Sequence, residues 1–360
     1  RYTDDSGRAR CSTRSFVSTP LRSSHLAVMA ATASPDAAAL ALLRERNGRM
    51  HSAASIARGR AFVPRPTDVF VATYPKCGTT WVTAICHALR APDHQDFDEI
   101  TTVAPWDIVA LDCGQDMDAD QVANPRIFKS HEAYGDIAKG AKYVYVIRHP
   151  ADAFVSFYNF LPKYMQIPDG ELTVETFAEG IFGGLSHSGG IWSHFADWID
   201  AARRDPDRIL VVAFEDLKAD LAREIDRIAR FVRPELVGVG DASSQNGGSP
   251  SSSSLDALCA SAREVSTYAY MSSHASQFDD HFVFGKLRAQ IGLEATHRAT
   301  KVNKGAVGGR KDLPALVADM LDTRWQSTVE PRFPGCASYD DLRRFVRDLN
   351  KQHHPSKLDD

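Results

Sequence analysis

A short stretch at residues 73–81, with the sequence TYPKCGTTW, contains the residue types that bind an anion. It follows an apolar run at residues 68–72 that predicts a buried strand, and it precedes residues 82–89, where apolar side chains recur at helical spacing. A helix that begins here directs its free N–H groups and the positive end of its dipole at the turn. Gly78 lets the backbone approach a ligand closely, and Lys76 adds a full positive charge. The stretch therefore predicts a binding site for a phosphate or sulfate group.

This turn differs from a Walker loop, in which the lysine follows the glycine in the order G-x-x-x-x-G-K-[ST]. That pattern occurs nowhere in the chain. The order P-K-x-G-T-T-W resembles instead the 5′-phosphosulfate loop of the soluble, cytosolic-type sulfotransferases. Those enzymes transfer a sulfuryl group from 3′-phosphoadenosine 5′-phosphosulfate (PAPS) to an alcohol, phenol or amine. The resemblance implies that the donor is bound by Lys76, Cys77, Gly78, Thr79, Thr80 and Trp81. A thiol at a helix N-terminus beside a lysine should ionise readily, so Cys77 is predicted to react with alkylating agents.

A second pair of polar residues lies at the end of a short apolar run at residues 126–131. Lys129 and His131 are two residues apart, so on a strand they face the same side. Open α/β sheets bind their ligands beyond the carboxyl ends of the strands, which is where this pair would lie. The order Lys-Ser-His resembles the Lys-Thr-His of the sulfotransferases. The resemblance implies that His131 is the general base and that Lys76 and Lys129 stabilise charge on the transferred group.

A third motif begins at the end of the strongest predicted strand of the chain, at residues 141–147. Arg148 follows this predicted strand and can bind a phosphate through two N–H groups. Ser156 then falls in the first turns of a helix that Pro150 begins. The order R-H-P-A-D-A-F-V-S-F-Y resembles the family pattern R-N-P-x-D-x-x-V-S-x-Y. In that pattern the arginine and the serine hold the 3′-phosphate of the donor.

The remaining similarities to this family are weaker. Phe214 stands where the family has a tyrosine against adenine, and Ser266 and Tyr268 match a Thr-Ser-Phe segment that touches the nucleotide. Trp81, Phe214 and Tyr268 are expected to flank the adenine. Residues 303–309, with the sequence NKGAVGG, resemble the family's R-K-G-x-x-G-D loop, which clamps the 3′-phosphate. That similarity adds Asn303, Lys304 and Gly305 to the candidate site. Because Asn303 replaces an arginine, Lys301 or Arg310 is expected to compensate.

Predicted strands alternate with predicted helices, which favours a mostly parallel sheet covered on both faces. The predicted fold is α/β, a single domain with helices flanking the sheet and a P-loop-like phosphosulfate-binding turn. Residues 1–35 are predicted to form a leader or a transit-like disordered segment, residues 36–350 the sulfotransferase domain that the resemblance implies, and residues 351–360 a tail. Residues 238–254 are rich in Gly and Ser and predict a flexible insertion. The acceptor pocket is expected from the least patterned segments, around residues 92–125, 160–190 and 272–295.

Composition limits the function further. The 360 residues include 24% charged and 43% hydrophobic side chains, which is typical of a globular protein. The net charge of −4 argues against a nucleic-acid partner, and no apolar run is long enough for a membrane span. The six cysteines have no C-x-x-C spacing, which indicates reduced thiols and no metal site. The expected protein is cytoplasmic, a monomer or weak dimer, with PAPS as donor and a small-molecule acceptor. Organelle import is expected if residues 1–35 are a transit peptide.

Two other functions are compatible with these residues. A nucleotide-phosphate kinase of related topology would require magnesium, although its usual lysine order is absent. A non-catalytic nucleotide- or metabolite-binding protein of the same fold would bind the nucleotide without turnover.

Overall fold

The computed structural model describes residues 34–184, 187–237, 255–294, 301–302 and 309–359. The segments assigned from the sequence to the leader and to the insertion therefore lie outside the described residues, except for residues 34 and 35. The same holds for Asn303, Lys304 and Gly305.

A parallel four-stranded sheet forms the centre of the described chain. Its strands are β1 (Val69–Thr73), β2 (Ile127–Ser130), β3 (Lys142–Ile147) and β4 (Ile209–Ala213). Their spatial order is β2-β1-β3-β4, and every neighbouring pair is parallel. The prediction of an α/β fold with a parallel sheet is confirmed. Since the chain continues from β1 to one side and later returns to the other, a crevice forms beyond the carboxyl ends of β1 and β3.

Helices cover both faces of this sheet. In chain order the α-helices are α1 (Pro35–Gly48), α2 (Ala53–Arg60), α3 (Thr79–Arg90), α4 (Ile100–Val103), α5 (Pro150–Tyr158), α6 (Leu161–Tyr164), α7 (Val174–Phe177), α8 (Ile191–Arg204), α9 (Phe214–Ala219), α10 (Leu221–Val232), α11 (Leu255–Val265), α12 (Tyr268–Ser273), α13 (His281–Ile291), α14 (Ala315–Thr328) and α15 (Tyr339–His353). A π-helical turn at Ala178–Phe182 and 3-10 turns at Pro234–Leu236, Ala275–Phe278 and Gly309–Asp312 complete the list.

Side chains of successive strand residues enter two separate apolar cores. Phe70 and Tyr145 belong to the core on one face, which also contains α5 and α8. Val71 and Val144 belong to the core on the other face, with α3, α10 and α11. Because both faces are buried, the strands carry no polar alternation, which is why the sequence shows them as continuous apolar runs.

Three local features were not specified by the sequence analysis. The helix that Pro150 begins ends at Tyr158 and is followed by the separate α6, because Pro162 has no N–H to bond back to Tyr158. The segment before β1 contains α2, whose first turn is capped when Ser55 N donates to Ser52 Oγ. The chain end is packed, since α15 continues to His353 and Ser356 Oγ donates to a buried carboxylate of α10 at 2.8 Å.

Candidate active site

A cavity of about 980 Å³ lies beyond the carboxyl ends of the strands. Every described candidate residue except Cys77 lines it; these are Lys76, Gly78, Thr79, Thr80, Trp81, Lys129, His131, Arg148, Ser156, Phe214, Ser266 and Tyr268. The sheet explains the convergence, because His131, Arg148 and Phe214 each directly follow the last residue of a strand. A volume of this size is large enough for two small molecules side by side.

The turn between β1 and α3 leaves backbone donors available for an anion. Gly78 precedes α3 with a φ of 110°, and no side chain caps the helix. An added Cβ at Gly78 would lie 2.9 Å from Phe214 Cδ2, so this position requires glycine both for its conformation and for the close approach. Thr79 Oγ1 lies 2.6 Å from Thr73 Oγ1, which fixes the first helical residue to the end of the strand. The uncapped first turn therefore presents free N–H groups with which it can bind an anion.

Lys76 is held in this turn with a left-handed backbone, at a φ of 70°. Its ammonium group lies 3.5 Å from the centroid of the Phe160 ring, which attracts the cation without neutralising it. Burial, followed by the charges of Lys301 and Arg148, lowers the pKa of Lys76 to about 7. An anion bound at this turn would offset this repulsion and keep Lys76 charged.

Lys129 projects into the same cavity from β2. Its ammonium group lies 3.9 Å from the centroid of the Trp106 ring, and only 5% of the residue is exposed. Burial and then the charge of Lys301 lower the pKa of Lys129 to about 8. Two lysines thus face one cavity, one from the turn after β1 and one from β2. Each contacts an aromatic ring, as expected of a site for a group with several anionic oxygens.

His131 is positioned with one ring nitrogen available for proton transfer. Its Nδ1 lies 2.9 Å from the carbonyl oxygen of Thr73. A carbonyl oxygen only accepts, so Nδ1 carries the hydrogen and Nε2 keeps a free lone pair. Burial and the charge of Lys129 lower the pKa of His131 well below its ordinary value. The imidazole is therefore neutral near pH 7, which is the state that a general base requires.

Two buried side chains of the core fix the backbone at His131. His194 Nε2 donates to the carbonyl oxygen of His131 at 3.3 Å, and the hydroxyl group of Tyr145 donates to His194 Nδ1 at 2.7 Å. Burial lowers the pKa of His194 to about 4, so this histidine is neutral as well. The arrangement ties the backbone at His131 to the central strand β3.

Arg148 is anchored at the other side of the turn. Its Nη1 donates to the carbonyl oxygen of Lys76 at 2.8 Å, and its guanidinium carbon lies 4.4 Å from the centroid of the Phe214 ring. The Nε atom is buried and has no hydrogen-bond partner. Ser156 lies on α5, half-buried at the cavity wall. A buried guanidinium group with an unused donor fits an anionic ligand, since such a group costs free energy while it stays unpaired.

The aromatic candidates form one wall of the cavity. Trp81 meets Phe214 edge to face, with their ring centroids 5.4 Å apart. Trp81 Nε1 donates to the carbonyl oxygen of Ser266 at 2.7 Å, while Ser266 Oγ donates to Ala262 O. Tyr268 is 49% exposed at the start of α12. The wall offers apolar surface for a planar ring, and the hydroxyl of Ser266 is used inside its own helix turn.

The prediction that Cys77 is a reactive thiol is wrong. Its side chain is fully buried in the apolar core, on the opposite side of the turn from the cavity. Burial raises the pKa of the Cys77 thiol far above its ordinary value, and the nearby Arg148 charge does not compensate. The helix N-terminus cannot activate a thiol that is held away from it and from water.

We therefore expect Cys77 to resist alkylation in the native protein. Iodoacetamide followed by mass spectrometry of the peptides should label Cys77 only after unfolding in guanidinium chloride. Cys259, which is half-buried on α11, serves as the internal control and should react faster. Rapid native labelling of Cys77, with protection by a nucleotide, would contradict the buried orientation.

Several features of the cavity were not found from the sequence. Asp280 and Tyr164 are new: Lys301, a candidate from the sequence, contacts Asp280, and Tyr164 donates to the same carboxylate. The rings of His51 and His187 lie at another part of the lining, with their centroids 4.4 Å apart and their planes tilted by 50°. The unpatterned segments expected to build the acceptor pocket all contribute to the cavity, through Trp106, Phe160 and Asp280 among others. Helix α1 and its following turn also contribute, through Asn47, Met50 and His51, and no motif indicated this.

Fold and site together define an α/β protein with a buried, cationic cavity built for a ligand that carries phosphate or sulfate groups. Residues 66–238 match the family model of the sulfotransferase domain. This part of the chain is therefore similar to the sulfotransferase domain.

Individual relatives agree with this similarity. The amine sulfotransferase of Oryctolagus cuniculus is 31% identical over 186 residues, which cover 49% of this chain and 59% of that protein. Cytosolic sulfotransferase 5 of Arabidopsis thaliana is 30% identical over 193 residues, which cover 48% of this chain and 58% of that protein. Flavonol 3-sulfotransferase of Flaveria bidentis is 28% identical over 187 residues, which cover 48% of this chain and 59% of that protein. The matched part thus spans less than two thirds of these relatives.

Solved structures show the same fold. The mouse sulfotransferase SULT7A1, crystallised with PAP, superposes with a TM-score of 0.54 at 16% identity and covers 84% of this chain and 95% of its own. Retinol dehydratase, crystallised with androsterone and PAP, superposes with a TM-score of 0.52 at 18% identity, and the match covers 74% of this chain and 81% of that chain.

In the part of the chain that the structure describes, no helix is both long and apolar enough to cross a membrane. Nor do the described residues contain three or more His, Cys, Asp or Glu side chains grouped to hold a metal ion.

Proposed function

We propose that this protein is a PAPS-dependent sulfotransferase that acts on a hydroxyl or amine group of a small molecule. The observation that carries the proposal is the placement of a neutral His131, with Nε2 free, beside Lys76 and Lys129 in one cavity. The match of residues 66–238 to the sulfotransferase domain and the titles of the structural neighbours, which contain PAP, support the same donor.

The residues present fit this donor. The uncapped turn with Gly78, Thr79 and Thr80 would hold the 5′-phosphate, and the unused Nε of Arg148, together with Ser156, would hold the 3′-phosphate. The rings of Trp81, Phe214 and Tyr268 would flank the adenine. The donor supplies a sulfuryl group whose bond to the bridging oxygen of the 5′-phosphate breaks while a bond from sulfur to the acceptor forms.

Each polar side chain then has one task. Nε2 of His131 takes the proton of the acceptor hydroxyl or amine as that group attacks in line. The ammonium groups of Lys76 and Lys129 stabilise negative charge on the sulfuryl oxygens and on the bridging oxygen. The aromatic rings of Phe160 and Trp106 keep these ammonium groups oriented without pairing them to a carboxylate. The site chemistry that we propose uses no metal ion.

Asn303 raises the question of which cation replaces the family's arginine at the 3′-phosphate. Arg310 Nη1 lies 3.8 Å from Asp152 Oδ2, and Asp152 is one helical turn before Ser156 on α5. Lys301 instead contacts Asp280. We therefore assign the compensating role to Arg310, since it is adjacent to the helix that carries Ser156.

The acceptor is expected to be a small molecule with a hydroxyl or amine group, because the relatives named above act on flavonols and amines. Apolar cavity residues such as Met50, Ile108 and Met165 would contact its carbon skeleton. The names of the plant relatives support a cytosolic location. A monomer or weak dimer remains our expectation, which sedimentation velocity at several protein concentrations would test.

Binding of two nucleotides tests the proposal directly. We expect calorimetric titration to show that PAP (adenosine 3′,5′-bisphosphate) binds at least 10-fold more tightly than adenosine 5′-monophosphate, because one charge-assisted phosphate contact is worth roughly 1.5–3 kcal/mol. Turnover is then measured with PAPS labelled in the sulfuryl group against a panel of phenols, alcohols and amines. Equal affinity for both nucleotides would refute the 3′-phosphate site. Selective PAP binding without turnover on any acceptor would favour a non-catalytic nucleotide-binding protein, and magnesium-dependent transfer from ATP would favour a kinase.

A further inference from the structure

A buried ion pair lies at the cavity wall, outside every motif recognised in the sequence. Lys301 Nζ contacts Asp280 Oδ2, and the two side chains are 12% and 1% exposed. The hydroxyl group of Tyr164 donates to the same carboxylate oxygen at 2.8 Å, while Asp280 Oδ1 is buried without a hydrogen-bond partner. Asp280 also has a left-handed backbone, with a φ of 64°, just before α13. Strain of this kind in a residue other than glycine collects at functional sites.

This pair belongs to the end of the cavity where the transferred group would lie. Lys301, Asp280 and Tyr164 line the same cavity as Lys76, Lys129 and His131. The side chains of Lys301 and Lys129 are within interaction range of each other, and the charge of Lys301 also acts on Lys76 and on His131. Three ammonium groups from three separate segments therefore surround one small volume.

The charges of Asp280 and the three lysines favour the binding of an anion. Burial alone would raise the pKa of Asp280, but the charges of Lys301 and Lys129 lower this pKa to about 2, so the carboxylate is ionised at neutral pH. Asp280 offsets the charge of Lys301, whereas Lys76 and Lys129 face aromatic rings. A ligand oxygen with negative charge would be attracted to all three ammonium groups, and Asp280 would hold Lys301 in position until then.

We propose that Lys301 is a third lysine that binds the sulfuryl group of the donor, and that Asp280 is the residue that positions it. This inference rests on the proposed function. The sequence left open whether Lys301 or Arg310 compensates for Asn303, and the two cations are now assigned to different ends of the donor. Arg310, beside Asp152 on α5, is assigned to the 3′-phosphate, and Lys301, beside Lys129, to the sulfuryl group.

The inference predicts a selective loss of affinity. PAPS carries the sulfuryl group and PAP lacks it, so their dissociation constants without acceptor isolate the contacts made by this group. We expect Lys301→Met to weaken PAPS binding on the order of 10-fold or more, while PAP binding changes by less than about 3-fold. Calorimetric titration measures both values, and Lys351→Met, at an exposed position of α15, is the matched control, with no change in either.

A second variant separates binding from folding. Lys301→Met leaves a buried carboxylate unpaired, whereas Lys301→Met with Asp280→Asn removes both charges of the pair. The double variant should regain thermal stability and still lose PAPS affinity relative to PAP. If the double variant restores the wild-type preference, the pair is structural and the inference is wrong. Equal weakening of PAPS and PAP, or no weakening, would overturn it as well. If the wild-type protein binds neither nucleotide, the proposed function fails first, and the inference falls with it.

Discussion

His131→Ala should reduce turnover by roughly 10²- to 10⁴-fold, because it removes the group that accepts the proton of the acceptor. The structure gives the reason in two parts. Nδ1 of His131 donates to the carbonyl oxygen of Thr73, so the free lone pair is on Nε2. Burial and the charge of Lys129 keep the pKa of His131 well below its ordinary value, so that lone pair is available at neutral pH. PAP affinity should remain within a few-fold of wild type, since the imidazole does not hold the phosphates.

The pH dependence of turnover gives an independent check of the same residue. The base acts in its neutral form, which dominates at every pH above its pKa. Because that pKa is lowered, wild-type turnover should persist as the pH falls through 6.5 and decrease only at lower values. His131→Ala should remove this acid limb along with most of the rate. His94→Ala, a change at an exposed histidine whose side chain lies outside the cavity, is the matched control and should preserve both. Near-normal turnover in His131→Ala would exclude His131 as the base.

The predictions from sequence succeeded where the physical cause is local. The strand, turn and helix around Lys76 are encoded within about twenty consecutive residues, in their apolar spacing and in the need for Gly78 at the turn. Lys129 with His131, and Arg148 with Ser156, are likewise encoded by short segments that end a strand. Parallel strands bring their carboxyl ends to one edge, so the convergence of these residues follows from the predicted fold.

Other features depend on contacts between distant segments, and the sequence did not predict them. The buried pair of Lys301 and Asp280 joins two residues from separate segments, and neither has a recognisable neighbour pattern. For Cys77 the sequence did give a local pattern, a helix N-terminus beside Lys76, but the activated thiol that this pattern predicted is not what the structure has. Lys76 has a left-handed backbone, and Cys77, the next residue, lies with its side chain in the core. Residue types alone do not specify on which side of a turn each side chain lies.

Substitution of Arg148 is the second change with a large expected effect, in this case on nucleotide affinity. Arg148 is buried, with only 7% of the residue exposed, and its guanidinium group lies over the ring of Phe214. One of its N–H groups bonds the carbonyl oxygen of Lys76 at 2.8 Å, and Nε has no partner. A lysine here would keep the charge but lose the planar set of donors that matches a phosphate. Arg148 thus contributes both to the shape of the turn and to the proposed 3′-phosphate site, and an experiment has to separate these two contributions.

Arg148→Ala should therefore be measured with two nucleotides that differ only in the 3′-phosphate. We expect PAP affinity to fall by about 2–3 kcal/mol, or roughly 30- to 150-fold, because a doubly charged phosphate loses its main charge-assisted partner. Affinity for adenosine 5′-monophosphate should change by only a few-fold, and Arg148→Lys should give an intermediate loss for PAP. Arg203→Ala, at an exposed arginine on α8, controls for the removal of one positive charge. If both nucleotides lose affinity equally, Arg148 acts only by holding the carbonyl group of Lys76, and the 3′-phosphate must be bound elsewhere.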